Sequence, residues 1–380
     1  MPDRRISFLS NLTFLFCAYF IITVIISIHR YMLGPSHYGN YLIFKNSFFH
    51  LMAGKDLYAL YPDLHIDLFK YSPTFAVFFS LFAIMPDYIG MILWNLFNGL
   101  ALFFAVKMIP VEGNKKVYIL WFILIELITS MQNYQSNALT ASLIIFVFVF
   151  LERKNFWMAG ISVAAGFYIK LFGILGAFLW FIYPGKIKFF LSSLSAVIAL
   201  FAVPMLFVSP EAIIDSYTSW FNLISMDSSH ELNHSVMSIM SNWFGVNINK
   251  TWIQVAGIIL LWIPLWKRNQ FQDEKFRLLF LCSILIWGVI FNHKAESATY
   301  IIAVIGCAIW FFTSEKSTLE KSLIILLFIL TCLSPTDLFP KTIRENYIVP
   351  YSLKAIPSVF IWIKIQYELL TFRGITEKMN

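Results

Sequence analysis

Residues 40 to 74 read NYLIFKNSFFHLMAGKDLYALYPDLHIDLFKYSPT, and this stretch decides how the rest of the chain divides. It is the one long polar and ionisable interval in the first third of the sequence, and it follows a first apolar run of about membrane length. It gathers Asp56, Asp63 and Asp67, His50 and His65, and Lys45, Lys55 and Lys70. Carboxylates, imidazoles and ammonium groups together can move protons and hold anions, so any chemistry is expected here. A solvated loop at a membrane surface has the same composition.

Outward from this interval the chain is overwhelmingly apolar. Of its 380 residues 59% are hydrophobic, 18% aromatic and 13% charged, with 40 Phe, which is more apolar surface than one soluble domain can bury. The expectation is an integral membrane protein forming a single domain over residues 1–380. Cys17, Cys282, Cys307 and Cys332 fall within apolar runs without metal-ligand spacing, so neither a disulfide framework nor a metal site is indicated. Phe8 to Ile28 is too long for the core of a cleavable signal peptide and should stay as an anchor.

Apolar runs occur at 8–28, 73–86, 88–107, 117–131, 137–151, 156–169, 172–184, 187–208, 251–267, 276–292, 298–313, 321–333 and 350–372. In lipid each must be helical, because the backbone has no other way to satisfy its polar groups. The predicted fold class is therefore all-α, a polytopic bundle of about twelve transmembrane helices. Seven short basic clusters, Arg4/Arg5, Lys115/Lys116, Arg153/Lys154, Lys186/Lys188, Lys267/Arg268, Lys316/Lys321 and Arg373/Lys378, all reach the cytoplasm in one threading. That threading keeps 73–86 from crossing, as a re-entrant or surface-lying helix, and puts both termini inside a cell (inner or plasma) membrane. Residues 29–72 then form the first extracytoplasmic loop and 209–250 a second, large one.

The same threading places most unusual polar groups on the outer side. Gln132, Asn133, Gln135 and Asn137 crowd a turn between two helices, where they suit either sugar hydroxyls or the capping of a tight hairpin. Lys170 stands among apolar residues in AAGFYIKLFG, and an ammonium there calls for an anion such as a lipid phosphate, a carboxylate of the first loop, or a path to the interface. His293, Lys294 and Glu296 stand where one helix surfaces and the next begins, as a site or as punctuation. Glu126, in LWFILIELITS, reads as a buried structural carboxylate or a proton relay. Asp227–His234, DSSHELNH, lacks a zinc motif.

GKDLY at Gly54–Tyr58, FKYSP at Phe69–Pro73, YQSNAL at Tyr134–Leu139, and Ala159–Gly160 followed by Lys170 together resemble glycosyltransferase family 87 over about residues 1–210. The resemblance implies kinship with the glycosyltransferase C superfamily, whose helical bundles use polyprenyl-phosphate sugars on the extracytoplasmic side. It implies a carboxylate of the first outer loop as base. The family's Asp, about fourteen residues before the Gly, aligns with Asn40, which cannot accept a proton. Either the alignment slips, or another carboxylate, Asp67, Asp63 or Asp56, serves, or activity is absent.

The expected function is transfer of a mannose-like hexose from a polyprenyl-phosphate donor to a lipid or glycan acceptor. Catalytic candidates are Asp67, Asp63, Asp56 and Asn40. Substrate contacts are expected from Lys70, Tyr71, Gln135, Asn137, Lys170, His293, Lys294 and Glu296. No cofactor is expected beyond the lipid-linked donor, and metal dependence is open. Partners are membrane lipids, the donor and a glycan or glycolipid acceptor, with no nucleic acid. The alternatives are a transporter or flippase of a lipid-linked or anionic solute, with Glu126 and Lys170 as pathway charges, and a non-catalytic relative that binds a glycolipid.

Overall fold

The apolar runs resolve into helices, and no strand occurs among the described residues of the computed structural model, which are 9–65, 67–226, 234–246, 249–313 and 316–374. Arg4, Arg5, Lys378 and residues 227–233 of the DSSHELNH segment lie outside them. In chain order the main helices are α1 (Leu12–Met32), α2 (Gly39–Met52), α3 (Pro73–Ala83), α4 (Asp87–Met108), α5 (Gly113–Gln132), α6 (Asn137–Glu152) and α7 (Phe156–Ile169). A run of 3₁₀ turns, Leu171–Phe181, leads to α8 (Lys186–Ala202) and α9 (Pro210–Met226). Then come α10 (Val236–Phe244), α11 (Lys250–Trp262), α12 (Glu274–Ile290), α13 (Ile301–Phe312), α14 (Thr318–Leu327) and α15 (Ile356–Leu370). Leu12–Met32, Asp87–Met108 and Lys186–Leu206 are each long and apolar enough to cross a membrane. The four cysteines are free.

Contacts divide the chain into two units that it enters by turns. The first comprises Met1–Met108, Ser130–Gly176 and Ile187–His230. Here α1 packs on α4, α4 on α6 and α6 on α7. The interval expected as a first loop at 29–72 is partly helical, because α1 runs on to Met32 and α2 occupies Gly39–Met52. Tyr41, Phe44, Ser47 and Leu51 recur every three or four residues on α2 and are buried, which is the face that makes a helix worth forming. Interspersed Asn, Lys and His hide that period in the sequence. The loop expected at 209–250 likewise contains α9, whose Ile213, Tyr217 and Trp220 are buried at helical spacing, and α10.

The segment 73–86 packs one face against the rest of its unit and leaves Leu81 and Ile84 exposed. Its helical part, α3, is about 16 Å long at 1.5 Å per residue, short of a hydrocarbon core of about 30 Å. Phe75, Ala76, Phe79 and Ala83 are buried, and α3 packs against α2. Phe44 meets Phe75 at a ring separation of 5.0 Å, and Trp94 meets Phe79 at 5.1 Å, both edge-on, the arrangement that aromatic quadrupoles favour. This aromatic core anchors the polar interval to the membrane helices of the same unit.

The second unit comprises Ile109–Thr129, Ala177–Lys186 and Glu231–Asn380. In it α12 packs against α13 and α15, and α14 against α15. Glu126 pairs with Lys354 at 3.0 Å, with side chains 0% and 1% exposed. A π-helical run over Phe328–Leu333 interrupts the regular ladder. Lys354 Nζ donates to the Thr331 carbonyl at 2.9 Å, and Thr331 Oγ1 donates back to the Lys354 carbonyl at 2.8 Å. Such a pair is costly to desolvate, so the extra hydrogen bonds are what make it tolerable.

Candidate functional site

The turn after α5 is held by side chains from the neighbouring helices of the first unit. Tyr134 has a φ of 52°, a left-handed conformation that a bulky residue adopts only when its surroundings enforce it. Trp94 Nε1 donates to the Tyr134 carbonyl at 2.9 Å, and Asn95 Nδ2 donates to the Met131 carbonyl at 3.2 Å. Ser136, the residue before α6, makes no side-chain cap. Instead Asn98 Oδ1 accepts from the Leu139 amide at 3.2 Å, satisfying one of the donors that a helix start leaves open. Sequence reasoning passed over Trp94, Asn95 and Asn98. Their signal was two amides three apart, WNLFNG, inside an otherwise apolar helix.

Position 40 lies at this same turn. Asn40 Nδ2 donates to the Asn133 carbonyl at 2.8 Å, and Arg30 Nε donates to the adjacent Gln132 carbonyl at 3.0 Å. Asn40 therefore acts as a donor.

Lys170 arrives from α7 through a tight reversal. A Cβ at Gly173 would run into the Gly166 backbone, so the chain can double back there only with glycine at both places. Lys170 Nζ donates to Asn137 Oδ1 at 2.6 Å and stands 4.9 Å from the centre of the Phe172 ring. Asn137 Nδ2 donates in turn to Gln135 Oε1 at 2.5 Å. Ser72 caps α3 by accepting from the Phe75 amide at 3.1 Å, and its hydroxyl donates to the Tyr168 carbonyl at 2.6 Å. Ser136 Oγ donates to the Tyr71 hydroxyl at 3.4 Å. Tyr71, Gln135, Asn137 and Lys170, expected as substrate contacts from three separate stretches, thus form one cluster. It offers an ammonium, two amides and a phenol, which suits a phosphate and sugar hydroxyls.

The acidic loop adjoins this cluster through Lys70. Trp220 Nε1, from α9, donates to the Lys70 carbonyl at 3.1 Å, and Lys70 pairs with Asp67 at 3.2 Å, both exposed. Asp67 Oδ1 accepts from the Leu68 amide at 2.7 Å, and His65 Nδ1 lies 2.7 Å from the Asp67 carbonyl. Asp63 is exposed. Asp56 Oδ1 accepts from the Tyr58 amide at 3.0 Å, turning the backbone as Asp does two residues before its donor. His50 is buried against Tyr61, with ring centres 3.9 Å apart, and burial, His65 and Lys55 all lower its pKa.

His293, Lys294 and Glu296 belong to the second unit. Asn292 Oδ1 accepts from the Lys294 amide at 3.0 Å, shaping the turn after α12. His234 donates its amide to the Ala295 carbonyl at 3.0 Å, and Tyr300 donates its hydroxyl to the His234 carbonyl at 2.6 Å. Burial, then Lys250, lower the His293 pKa. Among the described residues no group of three or more His, Cys, Asp or Glu stands where a metal ion could be held.

A crystal structure of ArnT from Cupriavidus metallidurans in the apo state is similar in structure, with 15% identity and a TM-score of 0.48 over 94% of this chain and 76% of that chain. No curated protein sequence matches the chain. The sequence profile of glycosyltransferase family 87 matches residues 69–335. The match begins at FKYSP, two residues after Asp67, and takes in YQSNAL, Lys170 and the turn that bears His293, Lys294 and Glu296. Since it spans well over half of a chain whose helices include three of membrane-crossing length, this membrane protein belongs to glycosyltransferase family 87.

Proposed function

We propose that this membrane glycosyltransferase moves a hexose, mannose-like, from a polyprenyl-phosphate donor to a lipid or glycan acceptor on the extracytoplasmic face of the cell membrane. The supporting observation is the convergence of Lys170, Asn137, Gln135 and Tyr71 in the first unit. The ammonium suits the donor phosphate, and the amides suit sugar hydroxyls. Asp67, three residues before Lys70, serves as base and takes the proton of the acceptor hydroxyl. The acceptor oxygen bonds to the anomeric carbon from the side opposite the lipid phosphate, the carbon–oxygen bond to that phosphate breaks, and polyprenyl phosphate leaves with the bonding pair. Configuration inverts, and Lys170 stabilises the leaving anion. Lys70 is the other cation of this unit proposed for the phosphate, and His293, Lys294 and Glu296, in the second unit, stay substrate-contact candidates on the sequence alone.

The test is transfer from labelled polyprenyl-phosphate hexoses by the purified protein. A general base contributes about 10²–10⁴-fold, so Asp67→Asn should lower the rate by that much with the fold intact. Full activity in Asp67→Asn, Asp63→Asn and Asp56→Asn alike removes the first-loop base and makes Glu296 the candidate. A second reading, a relative that binds a glycolipid without transfer, is favoured by Asn40, a donor where the family has an acid. Donor binding with no turnover of any labelled sugar would establish it.

A further inference from the structure

A cavity of about 470 Å³ opens between the starts of α7 and α8, at the opposite end of α7 from Lys170. Arg153, Lys154 and Lys188 line it together with Trp157, Leu191 and Ser192, and no carboxylate is part of its wall. Its floor is tight. A Cβ at Gly160 would come within 2.6 Å of Ser192, and Ser192 Oγ donates to the Phe156 carbonyl at 2.7 Å, so the two helices touch just below the opening. Arg153 is tethered on its other side, donating to the Met108 carbonyl at 3.5 Å.

The residues around the opening place it at a bilayer surface. Trp157 is 65% exposed, Phe190 57% and Leu191 56%, large apolar side chains that no part of this unit covers. Lys188 stands in the first turn of Lys186–Leu206, a helix long and apolar enough to span. Lys188 at the end of a spanning helix, with Arg153 and Lys154 of the α6–α7 turn and exposed aromatic and aliphatic side chains beside it, sits at headgroup level with acyl chains alongside. A free phosphate would answer the charge and leave Trp157 and Leu191 bare. A zwitterionic headgroup would bring its own ammonium against a wall without an acid.

We infer that this cavity binds the phosphate of an anionic phospholipid, with Arg153, Lys154 and Lys188 around the headgroup and Trp157 and Leu191 against its acyl chains. Each cation near an anionic lipid surface contributes about 1 kcal/mol, so three favour an anionic over a zwitterionic lipid by about a hundredfold. The site is independent of the transfer reaction and of its residues.

Native mass spectrometry of the full-length protein with chain-matched phosphatidylglycerol and phosphatidylcholine tests it. The wild type should retain phosphatidylglycerol by about a hundredfold preference, and Arg153→Gln/Lys154→Gln/Lys188→Gln should lose it. Lys267→Gln/Arg268→Gln/Lys321→Gln, an equal charge change in other basic clusters, should keep it. Lys188→Gln alone, the mildest change, should lose about fivefold, so the inference stands or falls even where the triple variant does not fold. No wild-type preference, equal loss in the control variant, or displacement of the lipid by glycerol phosphate at the same concentration overturns it.

Discussion

Lys170 and Asn137, thirty-three residues apart in sequence, meet at 2.6 Å with the ammonium donating to the side-chain amide oxygen. A neutral oxygen fixes the direction of an ammonium without cancelling its charge, and Asn137 is itself held by Gln135. The pair therefore fixes a cation on the residue next to Ser136, whose hydroxyl donates to that of Tyr71. Losing a charged hydrogen bond of about 1.5–3 kcal/mol should weaken donor binding in Lys170→Ala by one to two orders of magnitude. Asn137→Ala should cost less, and the double variant should bind no worse than Lys170→Ala, because the two act through one contact. Additive losses in direct binding of a labelled polyprenyl-phosphate sugar would show that they act separately.

Asn40→Asp tests what position 40 does. Its amide donates to the Asn133 carbonyl, and a carboxylate there loses the bond and faces an oxygen instead. Stability in thermal unfolding should fall by about 1 kcal/mol, with Arg30 next to the site limiting the damage. Transfer should not rise, since Asp67 is the proposed base. A gain of transfer would instead identify the natural chain as a relative that has lost its acid.

Glu126 and Lys354 should be interdependent. Lys354→Met leaves a carboxylate at 0% exposure without its cation, a change that costs about 3–5 kcal/mol. Replacing both, Glu126→Leu with Lys354→Met, should recover most of the loss in thermal unfolding, because two apolar side chains need no desolvation. Equal destabilisation by the single and double variants would mean that the pair does more than neutralise itself.

His234 should make stability depend on pH. Burial, with Lys354 nearby, lowers its pKa from 6.5 to about 4, so the folded protein resists a proton that the unfolded chain accepts. The contribution is complete above pH 6.5 and is lost as pH falls towards 4. His50 and His293 are shifted in the same direction. The melting temperature should therefore drop across that window, and His234→Gln should flatten part of the drop. A variant with the unchanged pH profile would remove His234 as a contributor.

The orientation proposed from charge predicts that a cysteine placed at Lys115 in a cysteine-free background is protected from an impermeant thiol reagent added outside, whereas one at Asp63 is labelled. Both positions are described, Lys115 beside Glu112 at 3.2 Å and Asp63 exposed in the acidic loop. Labelling at Lys115 from outside would invert the topology and with it the face on which transfer is proposed.

Apolar runs bounded by charge determined the helices, because in lipid a backbone has no partner but itself. Local motifs determined the family, since FKYSP, YQSNAL and the lysine beyond them stand in the sequence as they are read. The amphipathic helices α2 and α9 were not legible, because polar residues on their outer faces mask a buried stripe that only a neighbouring surface defines. Nor was the pairing of Glu126 with Lys354, 228 residues apart, or the use of Asn98 to cap α6. Those choices fall to the tertiary structure for one physical reason. A buried polar group must find a partner, and which one it finds depends on which helices pack side by side, a relation that sequence distance does not encode.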